Sequence, residues 1–321
     1  MSLHPYFRSY LDALNPLVAE SVRRGFVATP DSAREALAGL NQFAQPAVPI
    51  ARVFDTVIAA VPVRVYVPHP EAAADIVLFV HGGGHMAGDL DVYDYSARRT
   101  SHATGMVVVS VDYRRSPEAP YPAGLEDTYA VLTQLRDGLE GVETTGTIHA
   151  VADSGGGAKL ASIAQRVAAG TWESPIERQV LLYPSLDYTL SGQSIKDFST
   201  GYFLSEERIG WYFDHYFAHN EDRAQASPLF GPFNEKMPES LIIAAEFDPL
   251  VSEAREYVKA MQQAGSRAHL LTALGMIHAF AFFETEIPQE IETLYSTVGA
   301  FLKDGTVSTR LNTGSSVEPG M

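Results

Sequence analysis

The sequence predicts an α/β fold with a mostly parallel central sheet and helices on both of its faces. From residue 76 onward, short apolar runs alternate with segments of helical periodicity, which is typical of parallel strands buried on both sides. Candidate catalytic residues follow three of these runs, and a long interval between two others has room for a cap. The predicted strands are residues 76–80, 106–111, 147–151, 180–183, 241–247 and 269–273.

The first part of the chain does not follow this alternation. Helical patterns cover residues 5–19 and 31–40, and Asp31 stands where the second helix needs an N-cap. Residues 52–67 then alternate between apolar and polar side chains around Val61 and Pro62. This alternation predicts antiparallel strands at one edge of the sheet.

The interval between the strands ending at 183 and beginning at 241 is too long for a simple crossover. It holds a helical pattern at 205–218 that is crowded with aromatic residues. Open α/β sheets bind ligands at the carboxyl ends of their strands, so we interpret this interval as an insertion over that edge. Helices are also predicted for residues 122–139, 156–169, 249–264 and 288–302.

We therefore expect a single domain over residues 1–304. Its cap is predicted from residues 1–45 and 188–226. Residues 305–321 are polar, contain three glycines and have no apolar period, which predicts a flexible tail.

Composition limits the partners and chemistry of the chain. With 23 Lys and Arg against 39 Asp and Glu, the net charge is −16, and the absence of any basic block argues against nucleic acid or an anionic membrane as partner. The chain has no Cys, which excludes disulfides and thiolate chemistry. It lacks a secretory leader pattern and any stretch of about 18 apolar residues, so we expect a cytoplasmic protein.

The segment 152–156, Ala-Asp-Ser-Gly-Gly, predicts a nucleophilic serine. It follows the apolar run 147–151 and places small residues two positions on either side of Ser154. A sharp strand-to-helix turn needs this spacing if it is to hold one side chain in a strained, exposed position. The simpler interpretation of Ser154 is an ordinary helix N-cap.

A glycine run supplies the second part of a hydrolytic site. His81 and three glycines follow the strand 76–80, and consecutive glycine N–H groups can point at one place. We predict that the N–H groups of Gly83, Gly84 and Gly155 stabilise the oxyanion that forms when a serine attacks an ester carbonyl. The alternative is a phosphate-binding loop, but the run lacks the Gly-Lys-Ser/Thr ending of such loops.

The remaining partners of a serine nucleophile lie further along the chain. Asp248 ends the apolar strand 241–247, and His278 lies in a loop after the next strand. We predict that His278 is the general base and that Asp248 orients it. Glu246 competes for that role, but strand alternation sends it to the opposite face from Phe247, whereas Asp248 lies at the strand end and is free to reach the histidine. The order Ser, Asp, His is that of the α/β-hydrolase arrangement.

Together these motifs resemble the hormone-sensitive-lipase-like carboxylesterases of the α/β-hydrolase superfamily, in their bacterial form. The resemblance extends from about residue 76 to 283 and includes the oxyanion motif 81–84 and the nucleophile motif 153–157. The sequence departs from that family at Ala152, Gly155 and Ala279, among others, where it keeps small residues. The further matching segments are residues 111–114, 117–118, 120–123, 183–184, 187, 227–229, 248–250 and 275–278.

The resemblance and the motifs imply a serine carboxylesterase that hydrolyses small, short-acyl esters through an acyl-enzyme, without metal or cofactor. We predict that Trp211 and Phe213 line the acyl site, and that His85, where the family often has an aromatic residue, contacts substrate. The resemblance also implies a homodimer. An amide, carbamate or arylformamide hydrolase with the same triad is the alternative, and a non-catalytic ligand-binding relative is a third interpretation.

Overall fold

The structure of the chain, a computed structural model, describes residues 2–45 and 47–307. The strands of this part are β1 (Arg52–Ile58), β2 (Val61–Val67), β3 (Ala74–Val80), β4 (Val107–Val111), β5 (Thr144–Asp153), β6 (Ile176–Leu182), β7 (Glu239–Phe247) and β8 (Ala268–Ile277). Its helices are α1 (Pro5–Arg23), α2 (Pro30–Ala38), α3 (Asp94–Thr104), α4 (Ala123–Gln134), α5 (Ser154–Ala168), α6 (Gln193–Asp197), α7 (Glu206–Tyr216), α8 (Arg223–Ala226), α9 (Val251–Gln263) and α10 (Pro288–Asp304).

The strands form one sheet in the order β1-β2-β4-β3-β5-β6-β7-β8. The pairs β1–β2 and β2–β4 are antiparallel, and every other neighbouring pair is parallel. The predicted antiparallel edge and parallel centre are therefore confirmed. Since β5, β7 and β8 run in the same direction, the residues that follow them meet at one edge of the sheet.

Strand residues alternate between two apolar layers. Leu78 faces a layer that includes Leu160 of α5 and Tyr257 of α9. Its neighbour Phe79 faces the opposite layer, which includes Phe301 of α10. The core therefore has the helix–sheet–helix arrangement that the apolar runs predict.

The sequence pattern does not predict α3, because this helix is rich in hydroxyl residues, which favour turns and caps over helix interiors. In the structure Thr100 is fully buried, and its Oγ1 donates a hydrogen bond to the carbonyl of Ser96 at 2.8 Å. The small side chains of α3 bring it close to α10, where a Cβ on Gly299 would be 2.6 Å from the carbonyl oxygen of Ala103. The stability of α3 therefore comes from tertiary packing more than from the helix propensity of its residues.

The prediction of Asp31 as an N-cap is wrong. Thr29 caps α2 instead: its Oγ1 accepts a hydrogen bond from Ser32 N at 3.1 Å, and Ser32 Oγ accepts one from Thr29 N at 2.9 Å. Pro30 takes the first helical position, where a missing N–H costs nothing, so Asp31 lies inside the first turn.

The long interval between β6 and β7 carries α6, α7 and α8, as the sequence suggests for an insertion. No helix within residues 2–45 and 47–307 is both long and apolar enough to span a membrane. Of the predicted tail, residues 308–321 lie outside the described residues.

Candidate active site

The turn between β5 and α5 presents Ser154 at the edge of the sheet. Ser154 has a φ of +46°, in the left-handed region, and a non-glycine residue there costs on the order of 1–3 kcal/mol. The turn packs tightly against β3, because a Cβ on Gly156 would be only 2.1 Å from the carbonyl oxygen of Val80. The glycine two positions after the serine is therefore required by the backbone beside it.

The structure brings the three predicted residues of the triad together. Ser154 Oγ lies 3.0 Å from His278 Nε2, and His278 Nδ1 lies 2.8 Å from Asp248 Oδ2. Asp248 is 1% exposed, and its Oδ1 accepts a hydrogen bond from Leu250 N at 2.9 Å. A carboxylate held in this way accepts the Nδ1 proton, which leaves Nε2 free to accept the serine proton.

Glu246 does not contact the histidine. Its Oε2 accepts a hydrogen bond from the N–H of Gly275 at 2.7 Å, which fixes the carboxylate against the neighbouring strand β8. Asp248, at the end of β7, is therefore the carboxylate that reaches His278, while Glu246 is engaged with β8.

The glycine run adopts conformations that other residues reach only at a cost. Gly83 has a φ of +99° and Gly84 a φ of +61°. A Cβ on Gly83 would be 2.2 Å from the carbonyl oxygen of Ala87, and one on Gly84 would be 2.6 Å from the ring of Tyr212. A side chain at Gly83 would clash with the backbone of the same loop, and one at Gly84 would clash with Tyr212 of α7, so both positions require glycine.

The three glycines predicted to supply oxyanion donors line one cavity. A Cβ on Gly155 would be 3.5 Å from the backbone nitrogen of Gly84, so the loop after β3 touches the turn after β5. Gly82 N donates to Asp153 Oδ1 at 2.6 Å, whereas no hydrogen-bond acceptor for the N–H groups of Gly83, Gly84 or Gly155 is found among the described residues. These groups are available to bind a negatively charged oxygen.

His81 contacts the glycine run that follows it. Its Nδ1 lies 2.9 Å from the carbonyl oxygen of Gly82, and its ring stacks on Tyr113 at a centroid distance of 4.3 Å. Burial lowers the pKa of His81 to about 3, so its imidazole is neutral at ordinary pH. A neutral, buried ring with these contacts holds the loop in place.

Asp153 has a structural role beside the nucleophile. Besides the bond from Gly82, its Oδ2 accepts a hydrogen bond from Tyr93 Oη at 3.1 Å. Burial raises the pKa of Asp153 to about 6, although these two hydrogen bonds act in the opposite direction. Its carboxylate anchors the glycine run and does not touch His278 Nδ1.

A cavity of about 420 Å³ is lined by Ser154, His278 and the three glycines Gly83, Gly84 and Gly155. Side chains of α1, α2 and α7 form much of its wall, including Leu14, Leu37 and Ile209. The wall is largely apolar with a few polar groups, which is the usual composition of a small-molecule site.

Of the three predicted substrate contacts, Phe213 and His85 line this cavity. Trp211 is not among the residues that line the cavity: the helical turn directs it toward His215, with their ring centroids 4.5 Å apart, so its contact with substrate stays a prediction. The neighbouring Tyr212 lines the cavity instead and covers Gly84. The many aromatic residues of α7 predict that this helix faces the site, but not which of them point at it. Neighbouring residues of a helix point in different directions, so the sequence cannot decide between Trp211 and Tyr212.

Comparison with known proteins identifies the family of the chain. A sequence profile of the α/β-hydrolase fold matches residues 77–282, and the carboxylic ester hydrolase LipN of Mycobacterium tuberculosis is 33% identical over 231 residues, 68% of this chain and 61% of LipN. The chain belongs to the hormone-sensitive-lipase-like carboxylesterases of the α/β-hydrolase fold. This carboxylesterase is also 28% identical over 319 residues to the ethyl acetate hydrolase of Pseudomonas putida, 94% of this chain and 98% of that protein.

Solved structures give the same result. The esterase of Pyrobaculum calidifontis superposes on this carboxylesterase with a TM-score of 0.80 at 32% identity, covering 95% of this chain and 100% of that one. An ester hydrolase from the metagenome of Lake Arreo, solved with a bipyridine phosphonate derivative, gives a TM-score of 0.82 at 26% identity, covering 94% and 98% of the two chains. The protein is therefore a carboxylic ester hydrolase with the fold predicted from its sequence.

The carboxylesterase also contains a buried lysine that the sequence analysis does not single out. Lys159, on the first turns of α5, lies 3.0 Å through its Nζ from His85 Nδ1. The His85 ring stacks on Tyr216, with centroids 3.8 Å apart and planes 3° apart. One feature of the sequence could have pointed to Lys159: it is a charged residue, five positions after Ser154, in a segment that otherwise holds only apolar and small residues.

Proposed function

We propose that the protein is a serine carboxylesterase that hydrolyses small, short-acyl esters through an acyl-enzyme on Ser154. The observation that carries the proposal is the hydrogen-bonded series from Ser154 Oγ through His278 to Asp248, with distances of 3.0 Å and 2.8 Å. Nucleophile and base are already within hydrogen-bond reach, and a third group orients the base.

In the first step, His278 Nε2 accepts the hydroxyl proton as Ser154 Oγ bonds to the ester carbonyl carbon. The carbonyl oxygen becomes an oxyanion and receives hydrogen bonds from the N–H groups of Gly83, Gly84 and Gly155. The Asp248 carboxylate keeps the imidazole in the correct tautomer and stabilises the imidazolium without taking its proton.

In the second step, the oxyanion collapses and the bond to the alcohol oxygen breaks. His278 gives its proton to the departing alkoxide, which leaves as the alcohol, and Ser154 retains the acyl group. Water then attacks this ester with His278 as base, and the second collapse releases the carboxylic acid and restores the serine hydroxyl.

The size and lining of the cavity support small substrates. A volume of about 420 Å³ holds an ester with a short acyl chain and a modest alcohol, and Phe213 and Ile209 supply apolar contacts. A relative named for ethyl acetate matches almost the whole chain, which favours the same class of substrate here. We further propose that residues 1–45 and 188–226 act as the cap that closes this cavity.

The test is an assay of p-nitrophenyl acetate, butyrate and octanoate with wild type and Ser154→Ala. We expect the highest kcat/KM on the two short esters and a loss on the order of 10⁴-fold or more in Ser154→Ala. Ser162→Ala is the matched control, because this buried serine lies on the same helix α5, away from the cavity wall. Equal rates for wild type and Ser154→Ala would contradict the proposal, as would faster turnover of a matched p-nitroanilide.

A further inference from the structure

Lys159 is buried under the active site without a carboxylate partner. It is 1% exposed, and no acidic side chain among the described residues lies within ion-pair distance of its Nζ. Nζ lies 3.0 Å from His85 Nδ1, 3.4 Å from the carbonyl oxygen of Gly155 and 3.9 Å from the ring centre of Tyr113. Burying an ammonium group in this way is costly for folding, so its retention points to another role.

The contacts of Lys159 join the two segments that carry the oxyanion donors. Gly83 and Gly84 belong to the loop after β3, and His85 is the next residue of that loop. Gly155 belongs to the turn after β5. Through His85 and the Gly155 carbonyl, one ammonium group contacts both segments.

The other end of the glycine run is held by a second residue of the nucleophile turn. Gly82 N donates to Asp153 Oδ1 at 2.6 Å. Thus the residue before Ser154 fixes the beginning of the run, and Lys159, five positions after Ser154, fixes its end.

We propose that Lys159 is a positioning residue of the oxyanion hole: its ammonium group ties His85 to the Gly155 carbonyl and thereby fixes the N–H groups of Gly83, Gly84 and Gly155 relative to one another. This inference rests on the proposed esterase function of the same site. The contact made by Lys159 is expected to matter only in the reaction states in which the substrate oxygen carries negative charge. These states depend most on the placement of the N–H donors.

The surroundings of His85 show that its position has to be maintained. Its φ of +64° is a strained conformation for a residue with a side chain. Its carbonyl oxygen accepts a hydrogen bond from Ser116 N at 2.9 Å, and its ring is fully stacked on Tyr216. A Cβ on Gly155 would be 3.1 Å from the His85 nitrogen, so the two segments are already in contact and a small shift would open the hole.

The charge of Lys159 is sensitive to pH. Burial lowers its pKa to about 7, while the charges of Asp153 and Asp127 act to raise it. The other groups facing Nζ are His85, whose pKa is lowered well below its usual value by burial and by Lys159, and the rings of Tyr113 and Tyr216. Raising the pH above neutrality therefore removes the ammonium charge while leaving the side chain in place.

The experiment compares wild type with Lys159→Met, which keeps an unbranched side chain of similar length. With p-nitrophenyl acetate we expect the acylation rate constant and kcat both to fall on the order of 10- to 100-fold, because both steps pass through an oxyanion, with KM changed less than about twofold. The Ki of a short alkyl trifluoromethyl ketone, which forms an oxyanion on the serine, is expected to rise by the same factor. In wild type kcat falls as pH rises above neutrality, and this decline is absent in Lys159→Met.

Gln165→Met is the matched control. Gln165 is a buried polar residue on the same helix, and its Nε2 donates to backbone carbonyls of the segment before β7, including that of Pro228 at 3.2 Å. Its loss affects folding stability but not the oxyanion donors, so the ketone Ki stays within about twofold of wild type.

A second variant, His85→Phe, tests the same contact if Lys159→Met does not fold. His85→Phe keeps the ring on Tyr216 but removes the acceptor of the lysine bond, and it is expected to raise the ketone Ki in the same way. If both variants fold, the double variant should be no weaker than the poorer single one, because the two residues act through one contact.

The outcomes separate the two proposals. If wild type does not bind the ketone, the proposed esterase function fails. If wild type binds it and Lys159→Met and His85→Phe bind it equally well, the function stands and the role of Lys159 is refuted. A parallel loss of stability and activity in Lys159→Met and Gln165→Met, with unchanged ketone Ki, would also refute it.

Discussion

The carboxylate of Asp153 accepts a hydrogen bond from the backbone N–H of Gly82 at 2.6 Å. This bond ties the residue before Ser154 to Gly82, the first glycine of the run that follows β3. Asp153 is buried and its other oxygen accepts a hydrogen bond from Tyr93, so both carboxylate oxygens are hydrogen-bonded to groups other than His278. The two acidic residues near the triad therefore have different tasks: Asp248 contacts the histidine, and Asp153 sets the geometry of the loop.

We expect Asp153→Ala to lower kcat on the order of 10- to 100-fold, because Gly82 N loses its acceptor and the loop can shift. Asp153→Asn retains an oxygen acceptor, so it should keep more activity than Asp153→Ala. Steady-state kinetics on p-nitrophenyl acetate measure both. Equal activity of the two variants would show that the bond to Gly82 does not position the loop.

Gly83→Ala should abolish most activity. The new Cβ would lie 2.2 Å from the carbonyl oxygen of Ala87, which is backbone and cannot move aside, and the φ of +99° is unfavourable for alanine. Gly210→Ala in α7 is the control, since its Cβ would meet only Leu190 Cδ1 at 3.9 Å and a helix favours alanine over glycine. A Gly83→Ala enzyme as active as Gly210→Ala would contradict the assignment of the loop.

Asp248→Asn should lower kcat on the order of 10³- to 10⁴-fold, because the amide stabilises the wrong tautomer of His278 and does not stabilise its charged form. Glu246→Gln tests the rival carboxylate. Since the Glu246 carboxylate accepts a hydrogen bond from the Gly275 N–H on β8, away from His278, this variant should stay within about threefold of wild type. A larger loss of kcat in Glu246→Gln than in Asp248→Asn would show that Glu246, and not Asp248, orients His278.

The sequence predicts the sheet well because buried parallel strands appear as continuous apolar runs, such as residues 241–247 before Asp248. It also places Ser154, Asp248 and His278 in the site, because each follows a strand whose carboxyl end is at the same edge. Helix boundaries are less predictable, as α4 shows by ending at Gln134 instead of residue 139, since they depend on local hydrogen bonds.

What the sequence does not predict depends on tertiary packing. The helical pattern of α7 cannot tell whether Trp211 or Tyr212 faces the cavity, because they differ by one step of rotation. A lysine in a helix is normally on the surface, so only the fold shows Lys159 buried beside His85. The cytoplasmic location, the homodimer and the flexible tail stay predictions.

Lys159→Met should raise the free energy of unfolding, most clearly at low pH. The pKa of Lys159 is lowered from 10.5 to about 7 in the folded state, so below about pH 7 folding must bury a charge, and each pKa unit is worth about 1.4 kcal/mol. This cost shrinks as the pH rises toward the unfolded pKa. We expect a melting temperature at least about 2–4 °C higher than wild type at pH 6 and a smaller gain at pH 9, measured by calorimetry.

Exposed Lys236→Met is the control for this stability measurement and should show no such pH dependence. A lysine kept for stability would give the opposite result, with Lys159→Met less stable at every pH. Higher stability together with lower kcat is the combination expected of a residue kept for function.

The central claim is that the reaction passes through an acyl-enzyme on Ser154. Rapid mixing with p-nitrophenyl acetate, acid quenching and mass spectrometry of the peptides test it most directly. The account predicts a burst of p-nitrophenol equal to the enzyme concentration and one acetyl group on the peptide that contains Ser154, both absent in Ser154→Ala. An acetyl group on another residue, or full turnover without any acylated peptide, would contradict it.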